Sequence, residues 1–310
     1  MGDLLSLLAA VCWSAANVTI ARGAGGKGDD NGAFLSILLT AFIAGLVWLP
    51  DVLNQGLRGF NVHGLAWFAA GGALTIFIGR VFFHASIQYL GAVRGSSVKR
   101  LAPFFSVLMG VLVLGEPLGL ALVLGMLLIF AGFALLVYES RSAPGATGTA
   151  AESERKSTGI ERWVNAGIVY GAVSAFAYAA GNVARKYGLI YMPEPAFGAM
   201  LGSIVGAFLF LMTASVVDSY RHAVHMTFTR FNPWLFAAGV LASAGQLLFF
   251  AAIDRSTISR AALIVSIEVF VTIFLTVVVF QGREKMTLSA LVAAALGVTG
   301  TIVIIAGSGF

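Results

Sequence analysis

The stretch ESRSAPGATGTAAESERKSTGIER, residues 139–162, decides how this sequence is read. It is the one long polar run in the chain, rich in Ser, Gly, Ala and Thr with charges of both signs, which is the composition of a flexible linker. On either side of it the chain is apolar almost throughout. The 310 residues are 59% hydrophobic and 11% charged, with a mean hydropathy of +0.92, whereas soluble domains carry roughly 25% charged residues. Uncharged apolar runs long enough to cross the ~30 Å hydrocarbon core recur along it. They fall at about 4–20, 33–49, 64–90, 95–114 and 118–138 before the linker, and at 163–183, 196–217, 234–253, 261–280 and 288–307 after it. In lipid only helices and closed barrels satisfy the backbone, and the alternating pattern of barrel strands is missing. The expected fold is all-α and integral to the membrane, with ten transmembrane helices, five in residues 1–138 and five in 163–310.

The two halves repeat. AANVTIARG (15–23) matches AGNVARKYG (180–188), pairing Asn17 with Asn182. GRVFFHASI (79–87) matches GQLLFFAAI (245–253), pairing Gly79 with Gly245 and Phe83 with Phe249, and the same register pairs Arg94 with Arg260. Glu116 of LGEPL matches Glu284 of GREKM two residues out of that register. An odd number of spans per copy makes the second copy cross the membrane in the opposite sense. Such inverted-topology repeats recur in secondary transporters, because the two copies can exchange conformations and open alternately to either side.

An Asn near the end of the first helix of each repeat, a Pro-aromatic pair at Pro103 and Phe104 followed by GEPL, and a Gly-rich fifth helix, GMLLIFAGF, resemble the EamA-type branch of the drug/metabolite transporter superfamily. The resemblance covers essentially the whole chain in two copies. The second copy departs from the family pattern at SIEVF, where members often carry Pro after the Glu and this chain has Val269, and it has an extra residue before Glu284. The resemblance implies a multi-pass metabolite carrier of the bacterial inner membrane. It further implies a central cavity lined by the third, fourth, eighth and ninth helices, with the fifth and tenth packed at the pseudo-twofold axis. Export of amino acids or related compounds is the activity it suggests.

An ionisable side chain near the bilayer centre costs about 2.5–3.5 kcal/mol on insertion scales, so by default it faces a cavity or a partner. Arg80, His84 and Gln88 follow one another at four-residue spacing and share a stripe of the third helix. Glu268 in the ninth span and Gln246 in the eighth lie at mid-depth. Arg80 and Glu268 are therefore candidates for opposite walls of one cavity, which suits a zwitterion. The plainer reading is a salt bridge between them that only holds the bundle together. Glu268 and His84 are also the groups able to carry a proton and so to couple proton entry to substrate exit. Lys99 and Arg100, ahead of Pro103, form either an anion site at a cavity mouth or a pair reaching out to headgroups. Asn17 and Asn182 either bond between helices or touch ligand, and the glycines at 198, 202 and 206 make a small-residue packing stripe.

The net charge of +5 and pI near 9.6 do not point to nucleic acid, because the basic residues lie mostly in short loops where orientation and anionic lipid explain them. Cys12, the single cysteine, can form no intramolecular disulfide and reads as packing. No Walker-type sequence, HExxH or cysteine pair is present, so neither a cofactor nor a metal is expected and the chain does not read as an enzyme. The expected partners are a small-molecule substrate and membrane lipids, for a monomer or homodimer. Loops after odd-numbered spans hold thirteen Lys/Arg and those after even-numbered spans five, which places both termini outside. The family resemblance implies cytoplasmic termini. The sequence thus reads as a secondary carrier of a small polar or zwitterionic metabolite. The alternatives are an anion or sugar-phosphate exchanger and, in another class, a lipid translocase or membrane scaffold.

Overall fold

The computed structural model of this chain describes residues 1–23, 32–55, 60–80, 82, 101–142, 160–279 and 288–307. Every regular element among them is a helix. In the first half these are α1 (Gly2–Gly23), α2 (Ala33–Gln55), α3 (Val62–Gly72), α4 (Ala102–Leu114) and α5 (Leu120–Ser142). The second half contributes α6 (Ile160–Tyr191), α7 (Pro195–Ala214), α8 (Asp218–Thr229), α9 (Pro233–Arg255), α10 (Ile258–Val265), α11 (Glu268–Val279) and α12 (Leu288–Ala306). By length and composition, Gly2–Ile20, Ala33–Asn54, Val62–Gly79, Pro195–Ala214, Pro233–Asp254 and Ile258–Leu275 can each cross a membrane, while Ala102–Leu114, Leu120–Leu135 and Leu291–Ala306 are shorter apolar helices. Large apolar side chains such as Phe42, Leu112, Phe208 and Ile302 face outward, as a bundle surrounded by acyl chains requires.

Polar residues mark where helices begin. The Asn61 side chain caps α3 by accepting from the His63 amide, and Asn232 caps α9 by accepting from Trp234 and Leu235. Pro195 and Pro233 occupy the first helical positions of α7 and α9, where no amide hydrogen is needed. Gly115 closes α4 in a left-handed conformation, φ 66°. Asn232 also donates to the Gly23 carbonyl, so α1 ends where α9 begins. At the opposite end of the bundle the start of α1 meets the finish of α9, where Gly2 packs on Ser256.

Close backbone approach fixes several crossings. A Cβ on Gly72 of α3 would overlap the Gly202 backbone of α7, and Gly198 and Gly206 on the same stripe make room for Phe68 and Ile76. Gly125 of α5 and Gly300 of α12 face each other, each within 2.7 Å of where the other's carbonyl meets its missing Cβ. The core centres on Phe68, Phe250, Ile253, Ile258 and Ile264, all fully buried. Repeat-equivalent glycines make equivalent contacts. Gly245 lies against the Trp13 ring and Gly79 against the Tyr178 ring.

Four expectations change. The sixth span does not end near residue 183, because α6 continues to Tyr191 and carries Arg185 and Lys186 into the bundle. The ninth is broken between Val265 and Glu268. The helix opening at Val62 passes into a wider, π-type stretch from Ala73 to Gly79. Helix also occupies both ends of the expected 139–162 linker, up to Ser142 and from Ile160, and residues 143–159 lie outside those described.

Candidate functional site

The break in the ninth span arises without a proline. At Ser266 and Ile267 the backbone bonds tighten to i→i−3, with Ile267 N–H donating to Ile264 and Phe270 N–H to Ile267. The Ser266 hydroxyl donates to the Leu263 carbonyl at 2.6 Å, and Ser14 of α1 donates to the Glu268 carbonyl at 2.9 Å. Side chains thus take up what the irregular backbone leaves over, and Val269 fills the position where Pro is common in the family without restoring a straight helix. The eight residues of α10 carry the chain roughly 12 Å inward before the break. Glu268 opens α11 there, where a carboxylate complements the helix dipole. Its Oε1 accepts from Asn17 Nδ2 at 2.6 Å.

A second polar cluster surrounds Arg185 of α6, which is only 5% exposed. Its Nη2 donates to the Thr75 hydroxyl of the π-type stretch at 2.5 Å and its Nη1 to Asn182 Oδ1 at 3.4 Å. With the Gln246 amide of α9 turned as its surroundings require, the Gln246 oxygen accepts from Nη1 at 3.0 Å and Nη2 at 3.1 Å. The guanidinium lies over the Phe250 ring, 4.8 Å from its centroid, and Nε has no partner. All these acceptors are neutral. Among the described residues no carboxylate lies within 4 Å of this cation.

The corner between α9 and α10 is clamped by opposite charges. Lys186 Nζ donates to the carbonyls of Ile253 and, at 3.0 Å, Ser256, which terminate α9. Glu116, from the first half, accepts from the Ile258 amide at 2.6 Å, the Ser259 amide at 2.9 Å and the Ser259 hydroxyl at 2.5 Å, at the start of α10. A cation on the carbonyl end of one helix and an anion on the amide end of the next both match the local dipoles. Arg260 adds a bidentate pair to Asp3 at 2.6 and 2.7 Å.

The structure places some of the residues that the sequence grouped. Arg80 donates from Nη1 to the Ala33 carbonyl at the start of α2; burial raises the pKa of the Tyr220 phenol of α8, and the positive charge of Arg80 offsets part of that rise. Among the described residues, the ion pairs join Arg221 to Asp218 and Arg260 to Asp3. Asn17 and Asn182 hold opposite charges, Glu268 and Arg185 respectively. Gln246 belongs to the Arg185 cluster. His84, Gln88, Lys99 and Arg100 lie outside the described residues, as do Arg94 and Glu284. Among the described residues no group of three or more His, Cys, Asp or Glu could hold a metal. Sequence reasoning missed Arg185 and Lys186, although Arg185 stands three residues after Asn182 and so on its helical face.

The profile of the EamA-like transporter family matches the sequence twice, over residues 1–138 and 165–306. The chain belongs to the EamA-like transporter family. It is thus a member of the drug/metabolite transporter superfamily and a multi-pass membrane protein, and EamA membership points to movement of a small molecule rather than to catalysis. An uncharacterized protein of Pseudomonas aeruginosa is 31% identical over 137 residues, covering 44% of this chain and 45% of that protein. The match therefore spans about half the length of that curated relative. A solved crystal structure, 20% identical, superposes with a TM-score of 0.68 over 98% of each chain, a likeness of fold.

Proposed function

We propose that this EamA-family chain is a proton-coupled secondary carrier that exports a small polar or zwitterionic metabolite, an amino acid or derivative, across the bacterial inner membrane. Two inverted five-helix halves, residues 1–138 and 163–310, alternate access to a site between them. The observation that carries the reading is an opposed pair of charges inside the helical bundle, Arg185 buried and Glu268 half-buried. Glu268 is held by Asn17 and Arg185 by Asn182, one repeat-equivalent asparagine each. An acid and a base inside the bundle match the two charges of a zwitterion, and a broken helix beside one of them is typical of transporter sites.

Packing supports the inverted arrangement. α1 of the first half packs on α9 as α6 of the second packs on α3, while α2 meets α7 and α5 meets α12. α1 starts at the end of the bundle where Glu116 lies and α6 finishes there, as equivalent helices running in opposite senses would. A sugar-phosphate exchanger needs several free cations. Among the described interior residues Arg80 and Lys186 are engaged on backbone carbonyls, which favours the amino-acid class. Glu268 is the proposed proton carrier together with His84, and Gln88 and Gln246 are proposed polar contacts for the substrate.

Purified protein in liposomes preloaded with amino acids tests the reading. Efflux should rise when an inward proton gradient is imposed, and Glu268→Gln should exchange substrate yet ignore the gradient. Efflux indifferent to the gradient in the wild type would remove proton coupling, and no movement of any amino acid would leave a lipid translocase or scaffold.

A further inference from the structure

Resting on the carrier reading above, we infer that Arg185 receives the carboxylate of the cargo, which takes the place of the neutral oxygens of Asn182 and Gln246 on the guanidinium. The cluster is built around this one cation by the π-type stretch after α3 and by α6 and α9. Thr75 is itself held, donating to the Gly71 carbonyl at 2.8 Å while accepting from Arg185. Glycine makes the room. A Cβ on Gly71 would press on Arg185 Cγ at 2.9 Å, and one on Gly181 would overlap the Thr75 methyl group. The Phe250 ring lies 4.8 Å from the guanidinium carbon and closes that side of the cluster.

Among the described residues the cluster holds no negative charge. Amide and hydroxyl dipoles satisfy hydrogen bonds but leave a full positive charge in the interior, where a lone ion is costly and a carboxylate partner is worth most. A planar fork of two Nη atoms matches the two oxygens of a carboxylate in one bidentate contact. A phosphate dianion asks for more positive charge than one guanidinium supplies, and the neighbouring Lys186 is held on the carbonyls of Ile253 and Ser256. Asn182 and Gln246 are the partners to yield. Asn182 is bonded only weakly, at 3.4 Å, and Gln246 presents a single oxygen to both Nη atoms. Because Arg185 is almost wholly covered, entry of the carboxylate requires the same helix movement that alternates access, which ties recognition to transport.

The test uses the full chain in liposomes and four radiolabelled amino acids, leucine, phenylalanine, threonine and lysine, each paired with its carboxamide, with glucose 6-phosphate as a phosphate control. The expected result is uptake of at least one acid with its amide excluded, and a loss of roughly 30-fold or more in kcat/KM for that acid in Arg185→Gln, as when one partner of a buried charge pair is truncated. Arg185→Lys, which keeps the charge without the fork, should fall between. The comparison of acid with amide needs no variant, so it stands even where a substitution prevents folding. Acid and amide carried alike, or glucose 6-phosphate preferred, would overturn the assignment of Arg185 while leaving the carrier reading in place. If neither member of any pair is carried, the amino-acid reading falls and this inference with it.

Discussion

Glu116 holds three donors at once, the amides of Ile258 and Ser259 and the Ser259 hydroxyl, and it is nearly buried. Removing the carboxylate strands two buried backbone N–H groups at the start of α10. Glu116→Ala should therefore lower stability by about 2–4 kcal/mol, by the usual cost of buried unsatisfied donors. Glu116→Gln keeps an acceptor and should lose less than half as much. Thermal unfolding in detergent measures both. The same residue illustrates what a sequence hides. GEPL is legible as a motif that resembles the family's, but which amides its carboxylate holds depends on the start of α10, 142 residues away. Arg185 was hidden for a different reason. Read along the chain, RK after an apolar run marks the end of a span, and only the Thr75, Asn182 and Gln246 acceptors around it turn the arginine inward.

Helices, as elements, carry the crossings. Gly300 of α12 has the Gly125 carbonyl 2.7 Å and Ile129 Cγ1 2.9 Å from where a Cβ would stand. Gly300→Ala should cost about 1–3 kcal/mol by overpacking. Gly119→Ala, with open space around it, should leave the unfolding temperature unchanged in the same assay. Between α6 and α7 burial raises the Glu194 carboxyl pKa, and the nearby Asp51 adds to the rise. A raised carboxyl favours its protonated form in the folded state. Its stabilisation is complete below the ordinary carboxylate range, near 4.3, and is lost as pH climbs through the raised value. The melting temperature of Glu194→Gln should exceed that of the wild type by a small margin at neutral pH, and the difference should vanish in acid. Helix positions were readable because apolar length is a strong signal, whereas the break before Glu268, the π-type stretch Ala73–Gly79 and the surface helix α8 were not. Those features depend on hydrogen bonds from other helices, such as Ser14 to the Glu268 carbonyl, and have no local pattern.

Across the whole molecule the two halves exchange their first helices. α1 packs on α9, α10 and α11, and α6 packs on α3 and α4. Residues 1–150 and 151–310 expressed together as separate polypeptides should therefore copurify through an affinity tag on either one, while each expressed alone should accumulate poorly. The exchange also sets a problem of timing during synthesis. α1 leaves the ribosome roughly 200 residues before α9 does, a wait of about 10–40 s at ordinary elongation rates. Through that interval Ser14 and Asn17 are in the bilayer before Glu268 has been translated. The nascent first half must therefore be chaperoned by the insertion machinery, by lipid headgroups or by temporary neighbours until its permanent ones are made.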